Sequence, residues 1–343
     1  RIDAQGTSDA PIVMTSSRAE GQRQTGDWGG LVLLGEARLS WGNEACDGTA
    51  GECEANIEGL PATENRGVFG GNDDAHDCGT VRYTRIEFAG FRFGQDNELN
   101  GLTVGGCGSD TTLEYIQVHR GLDDGVEFFG GTASIQYVIV SGTGDDGIDT
   151  DQGYSGTVMN FIVHHFAGSS DDPRGIEADN FSQNNDVEPR SAPQMMYGTV
   201  VATAETSNQQ GIVLRRGTFG VLDGLVVSGW ASAGVDLRDG AWDEAGGWPT
   251  GLLVTNSCFF GNGPNFPDDD NDESAQNPGT FFPEDTNMPA QNNIEVDPGL
   301  GDFSGAVDGS ATPDYSVSNT DCDGAFAPSG DDWTADWTAF PAD

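Results

Sequence analysis

Glu127, Asp149, Asp151, Glu177 and Asp179 are the residues of this sequence best placed to do chemistry, because they recur at fixed offsets behind a repeated glycine. Six segments carry that glycine: NELNGLTVGG, LDDGVEFFGG, GDDGIDTDQG, DDPRGIEADN, SNQQGIVLRR and ASAGVDLRDG, centred on Gly101, Gly125, Gly147, Gly175, Gly211 and Gly234. One and three positions after it the residues are mostly apolar. The second position reads Thr103, Glu127, Asp149, Glu177, Val213, Asp236, and the fourth Gly105, Phe129, Asp151, Asp179, Arg215, Arg238. If the segments stack as neighbouring strands, about 4.8 Å apart, the five acids fall on three consecutive rungs of one outward face. Two bare charges at that spacing repel by about 3 kcal/mol at an effective dielectric near 20. Protonation, arginine partners or a bound cation must offset this, and Ca²⁺, which accepts six to eight oxygen ligands in loose geometry, suits such a ladder. Arg215 and Arg238 stand on the next two rungs, where they can pair with part of it.

The stacking itself is predicted by spacing. The glycines lie 24, 22, 28, 36 and 23 residues apart, and between them runs a second strand with period-two alternation: YTRIEFAG, LEYIQVHRG, IQYVIVSG, MNFIVHHFAG, MYGTVVA, LDGLVVSG and VTNSCFFGNG. Recurring strand pairs with no helical pattern between them predict a single-stranded solenoid, an all-β, right-handed parallel β-helix of about eight coils, over residues 1–262. Ile86, Ile116, Val138, Phe161, Thr199 and Leu225 are aligned as one inward column, and Phe88, Val118, Val140, Val163, Val201 and Val227 as another. The outward register between them holds Ile139, Ile162, Val200 and Val226. This apolar stripe must be covered by another part of the chain or serve as a contact for a second copy or a filament. Residues 41–80 are polar and aperiodic and are assigned to a lateral insertion. Residues 263–343, acidic and rich in Pro and Asn, are assigned to a tail that caps the open end.

The chain has 343 residues, 56 acids against 14 bases, and a net charge of −42. That charge excludes binding nucleic acid through phosphates or adhering to anionic lipid, and it suits cations or a saline medium. No apolar run is long enough to span a bilayer. The chain starts at Arg1 without an apolar leader, as expected of a secreted protein whose signal peptide is removed, and six cysteines point to an oxidising compartment. Of the 15 possible pairings we expect Cys46–Cys53, Cys78–Cys107 and Cys258–Cys322. Three other groups are weaker candidates. The corner dyads Asp123–Asp124 and Asp145–Asp146 are read first as turn-closing residues and second as metal ligands. Asp268, Asp270 and Asp272 resemble only part of a calcium loop. His119 and His164 share a register, with His165 beside them, and are read as surface residues rather than a transition-metal site.

With GDWGGLVLLG, NELNGLTVGG, LDDGVEFFGG, GDDGIDTDQG, GIEADN and DWTADWTAF in view, the chain resembles secreted and cell-envelope bacterial β-helix proteins of the pectate-lyase-like class. The rigid coil, anionic skin, apolar stripe and capped ends suit a Ca²⁺-stabilised surface, matrix or filament component, while the resemblance implies an enzyme acting on acidic polysaccharide with Ca²⁺ as the alternative. In the enzymatic case Arg215 or Arg238 would be the base of a lyase, or Asp149 and Asp151 the acid–base pair of a hydrolase. The high pKa of arginine and the anionic surface weigh toward the non-catalytic, adhesive or structural role.

Overall fold

The computed structural model describes residues 1–40, 53–58, 60, 65–94, 97–166, 173–203, 209–238, 251–266 and 291–343. Two long parallel sheets run side by side along one axis. The first has seven strands, Leu31–Leu34, Leu102–Gly105, Val126–Phe129, Ile148–Asp151, Arg174–Ala178, Gln210–Leu214 and Ala233–Leu237, in that spatial order. The second has twelve. Its successive rungs are Ile2–Gln5 with Ile12–Met14, then Gly79–Glu87, Thr112–His119, Ser134–Ser141, Thr157–His165 and Gln194–Ala202. Gly220–Asp223 with Val226–Ser228, Leu252–Thr255 with Cys258–Phe260, and a short Ile294–Glu295 complete it. This is the predicted parallel β-helix.

The repeated glycine has a steric cause. A methyl carbon on Gly211 would lie 2.6 Å from Val227 Cγ1, and Gly101, Gly125, Gly147 and Gly175 leave still less room against Val118, Val140, Val163 and Val200. The backbone of one sheet therefore rests directly on the inward valine column of the other, and only a residue without Cβ fits. The two apolar columns of the seven-stranded sheet are buried as expected, with Leu102, Ile148, Ile176, Ile212 and Val235 at 1 % exposure or less.

A bend divides each long rung. Tyr83, Tyr115, Tyr137, Asn160, Tyr197 and Asn256 have φ between 45° and 57°, in the left-handed region, and Gly224 occupies the equivalent place on its rung. The long sheet thus turns a corner and presents two outward faces. Tyr83, Tyr115 and Tyr137 stack along it with centroids 4.3 and 4.5 Å apart. Asn292 donates to Asn256 at 3.0 Å and Asn256 to Asp223 at 2.6 Å further along the same edge.

The inward columns differ from the sequence alignment in register. Ile86 pairs with Val118 rather than Ile116, a two-residue shift that keeps it in the core. At the sixth rung Gly198 stands beside Phe161, because the Phe161 ring fills the space a side chain there would need. Val200 consequently faces the core, and Thr199 and Val201 face outward.

The apolar stripe is corrected in one respect, since Val200 is not part of it; Ile139, Ile162 and Val226 are fully buried, the covered alternative of the two expected. Tyr315, Trp337, Phe340, Ala306 and Ala325 cover Ile139, Ile162 and Val201, while Val226 packs on Cys258 and Cys322. A contact with another copy through this stripe would require displacing the tail. The closing segment, expected over the open end, lies along the flank. Gln117 holds it as a strand would, accepting from Ala339 N at 3.0 Å and donating to Ala339 O at 2.7 Å. Arg23 pairs with Asp343 at 2.6 Å. The insertion sends Cys53, Ala55, Ile57 and Phe69 against Leu39 and Phe129, covering Val32 and Leu34 on the outer side of the seven-stranded sheet. Disulfides join Cys78 to Cys107 and Cys258 to Cys322. Cys46, and with it the expected Cys46–Cys53 pairing, lies outside the described residues, as do Asp268, Asp270 and Asp272.

Candidate cation site

The acid ladder follows from strand register. Glu127 pairs with Thr103 below and Asp149 above, and Asp149 pairs with Glu177. Alternation points all three outward, because Val126, Phe128, Ile148, Thr150, Ile176 and Ala178 point into the core. Asp151 and Asp179 continue the neighbouring column, with Phe129 opposite Asp151. The corner before each strand adds more acids. Asp124, Glu127 and Asp149 have carboxylate oxygens within 4.8 Å of one another, as do Asp146, Asp149 and Glu177, and Asp123, Asp124 and Asp145. Asp149 belongs to two of these groups and sits between them.

The two ends of the ladder are neutralised differently. At the upper end Arg215 Nε binds Asp179 at 2.8 Å and its Nη2 binds Glu177, while Arg216 Nη1 reaches Asp179 at 2.7 Å. Arg174 Nη1 lies 3.0 Å from Glu177. One rung on, Arg238 Nε donates to Asp236 at 2.7 Å. At the lower end no arginine reaches Glu127 or Asp149 among the described residues. Asn100 donates to Glu127 and, at 3.2 Å, to Thr103. Asp149 Oδ1 is buried without a hydrogen-bond partner, and so is Asn100 Oδ1.

The carboxyls register that imbalance. Burial, then the neighbouring Asp149, raises Glu127 well above the usual range; burial and Glu177 do the same to Asp149. Asp124 is raised by burial and Asp123, and Asp146 by burial and Glu177. Asp151 is raised by burial and Asp179. Glu177 is pushed to about 7 by burial and Asp179, against the pull of Arg215 and Arg174. Asp123 reaches about 7 through burial and Asp145. A cluster of this kind holds protons at neutral pH or surrenders them to a cation. The donor set is all oxygen, the hard-ligand chemistry that Ca²⁺ takes.

The predicted five acids are thus sorted. Glu127 and Glu177 each converge on Asp149 from opposite sides, Asp179 is held by Arg215 and Arg216, and Asp151 accepts from Gln152 N at 2.5 Å. Asp124 and Asp146, read first as turn residues, link successive coils instead. Asp124 Oδ1 accepts from Asp146 N at 2.8 Å and Asp146 Oδ1 from Arg174 N at 2.7 Å, tying each corner to the next, while both join the acid groups. The position before the repeated glycine reads Asn100, Asp124, Asp146, Arg174, Gln210, Ala233; Asp124 and Asp146 are weighed above as ligands, but sequence reasoning missed the parts of Asn100 and Arg174.

Arg215 is a poor base. Burial works against its charge, but Asp179 and Glu177 outweigh it and raise the guanidinium further. Arg238 is engaged by Asp236. The histidines are not at the surface. His119 and His164 do share a register, through Ser141. His119 is fully buried, with Nδ1 at 2.8 Å from Ser141 Oγ and Nε2 at 3.0 Å from the Pro341 carbonyl. His164 Nδ1 lies 3.0 Å from Tyr315 Oη. Burial lowers both to about 3, so both are neutral and anchor the tail.

A family model described as pectate-lyase like beta helix domain matches residues 1–338. No curated protein and no solved structure matches the chain.

Proposed function

The chain belongs to the pectate-lyase-like β-helix family, and from that premise we propose that it is a secreted, non-catalytic surface or matrix protein whose coil is held together by Ca²⁺ on the acid ladder. The observation that carries this reading is Asp149, whose buried Oδ1 has no hydrogen-bond partner and which stands between two groups of converging carboxylates. Asp124, Glu127 and Asp149, which no arginine reaches among the described residues, would hold the ion, while Asp146 and Glu177 in the adjoining group already have Arg174 and Arg215 beside them. The engagement of Arg215 and Arg238 by carboxylates supports a role without catalysis. Two disulfides fit an oxidising compartment, and no helix among the described residues is long and apolar enough to cross a membrane.

Thermal melts with excess EDTA and with Ca²⁺ test the reading: a midpoint several degrees lower in EDTA is expected, and identical melts would overturn the site. The second reading is a Ca²⁺-dependent lyase or hydrolase acting on acidic glycans. It is favoured by Asp123 and Glu177, which both titrate near about 7, where a general acid or base works best. Incubation with alginate and pectate in Ca²⁺ separates the two. New unsaturated or reducing ends would establish the enzyme, and none is expected.

A further inference from the structure

The outer sides of the molecule are covered unequally. The insertion lies on the first rungs of the seven-stranded sheet, and the tail lies on the second half of the long rungs. Among the described residues, no segment covers the first half of the long rungs. Its inward residues Val81, Leu113, Ile135, Val158, Met195, Leu222 and Val254 are core, so the alternate residues stand out in two columns. One column runs Thr80, Thr112, Ser134, Thr157, Gln194, and the other Arg82, Glu114, Gln136, Met159, Met196.

Three properties of this face point to one class of ligand. The first is shape: a concavity of about 460 Å³ lies over Thr112, Glu114, Ser134, Gln136, Thr157 and Met196. Across the corner, Tyr83, Tyr115 and Tyr137 form the floor of a second hollow of about 300 Å³ walled by Trp333. The second is charge. In a chain of net charge −42, the one carboxylate lining the larger hollow is Glu114, and it is spoken for. Arg82 Nε lies 3.2 Å from it, and Gln136 Nε2 donates to it at 2.9 Å. The third is chemistry: hydroxyls and amides repeat once per rung beside methionine and tyrosine surface, offering hydrogen bonds and apolar contact in alternation. A chain of neutral sugars presents the matching alternation of hydroxyls and C–H faces, and its lack of charge spares it the repulsion an acidic polymer would meet.

We propose that this face binds an extended neutral polysaccharide, independently of the acid ladder on the other sheet. Native gel electrophoresis through xyloglucan, galactomannan or hydroxyethylcellulose, with EDTA throughout, tests it on the whole protein. At least one polymer is expected to retard the protein. Ser134→Arg at an exposed position and Thr112→Arg at a half-buried one, both checked for an unchanged melting midpoint, should weaken the retardation at least tenfold, and Asp149→Asn should not. Absence of retardation in every neutral polymer would overturn the proposal. So would retardation that both arginine variants retain, or light scattering that shows a dimer which those variants dissociate, since the face would then belong to a second copy.

Discussion

Asp149 is the residue on which the electrostatics turn, since it is flanked by Glu127 and Glu177 and its buried oxygen has no donor. Asp149→Asn removes a charge while keeping the shape, so its effect should reverse with conditions. In EDTA the variant relieves repulsion of about 3 kcal/mol per ionised neighbour at about 4.8 Å and melts higher than the parent. In Ca²⁺ it melts lower than the parent, because a ligand is gone. Differential scanning calorimetry in both buffers checks the crossing, and a variant shifted in the same direction in both would contradict the account. The pH dependence has a defined sign as well. Glu177 and Asp123 titrate near about 7 in the fold, above their ordinary values, so the stability they contribute is fully present below about pH 4 and is lost as pH rises through 7. Without divalent cation the protein should therefore become less stable from pH 4 to 8, and Ca²⁺ should reverse that trend by taking the place of the protons.

At the scale of the element, the glycine in front of each strand is the spacing device of the fold. Gly147→Ala should cost at least about 1–3 kcal/mol, the usual cost of overpacking, because its methyl meets both the Val163 side chain and the Gly175 carbonyl oxygen, the latter at 2.6 Å. Adding Val163→Ala should restore only part of that loss, since the carbonyl stays in place; urea denaturation of the single and double variants measures it. This element was legible in the sequence. Glycine recurrence predicted the coil, and the offsets behind it placed Glu127, Asp149 and Glu177 on one face. The bend in the long rungs was not legible, because tyrosine, a strand-favouring residue, occupies the left-handed position at Tyr83, Tyr115, Tyr137 and Tyr197. The register at the sixth rung was missed for a related reason. Gly198 accommodates the Phe161 ring, a contact between strands that alternation within one strand does not contain. The corner acids were visible as Asp–Asp–Gly, but their convergence with the ladder depends on how the corner folds.

Across the whole molecule, the tail and the acidic skin govern behaviour. Trp337 is buried among Ile139, Ile162 and the tyrosine stack, and Trp337→Ala should destabilise by about 3–5 kcal/mol and expose the stripe beneath. Dye binding by the variant below its melting temperature would report that exposure, and no added binding would show the tail to be held elsewhere. His119 and His164, neutral beneath the tail, explain why these residues are absent from the surface, which could not be read from spacing. The charge of −42 acts over the entire surface. Raising NaCl from 0.01 to 1 M shortens the screening length from about 30 to 3 Å and should raise the melting midpoint even in EDTA. The measurement that bears most directly on the acid ladder is calorimetric titration of the cation-free protein with Ca²⁺ at pH 6, in two buffers of different ionisation enthalpy. Binding is predicted to release at least one proton per ion and to fail in Asp149→Asn; binding without proton release, or no binding, would contradict it.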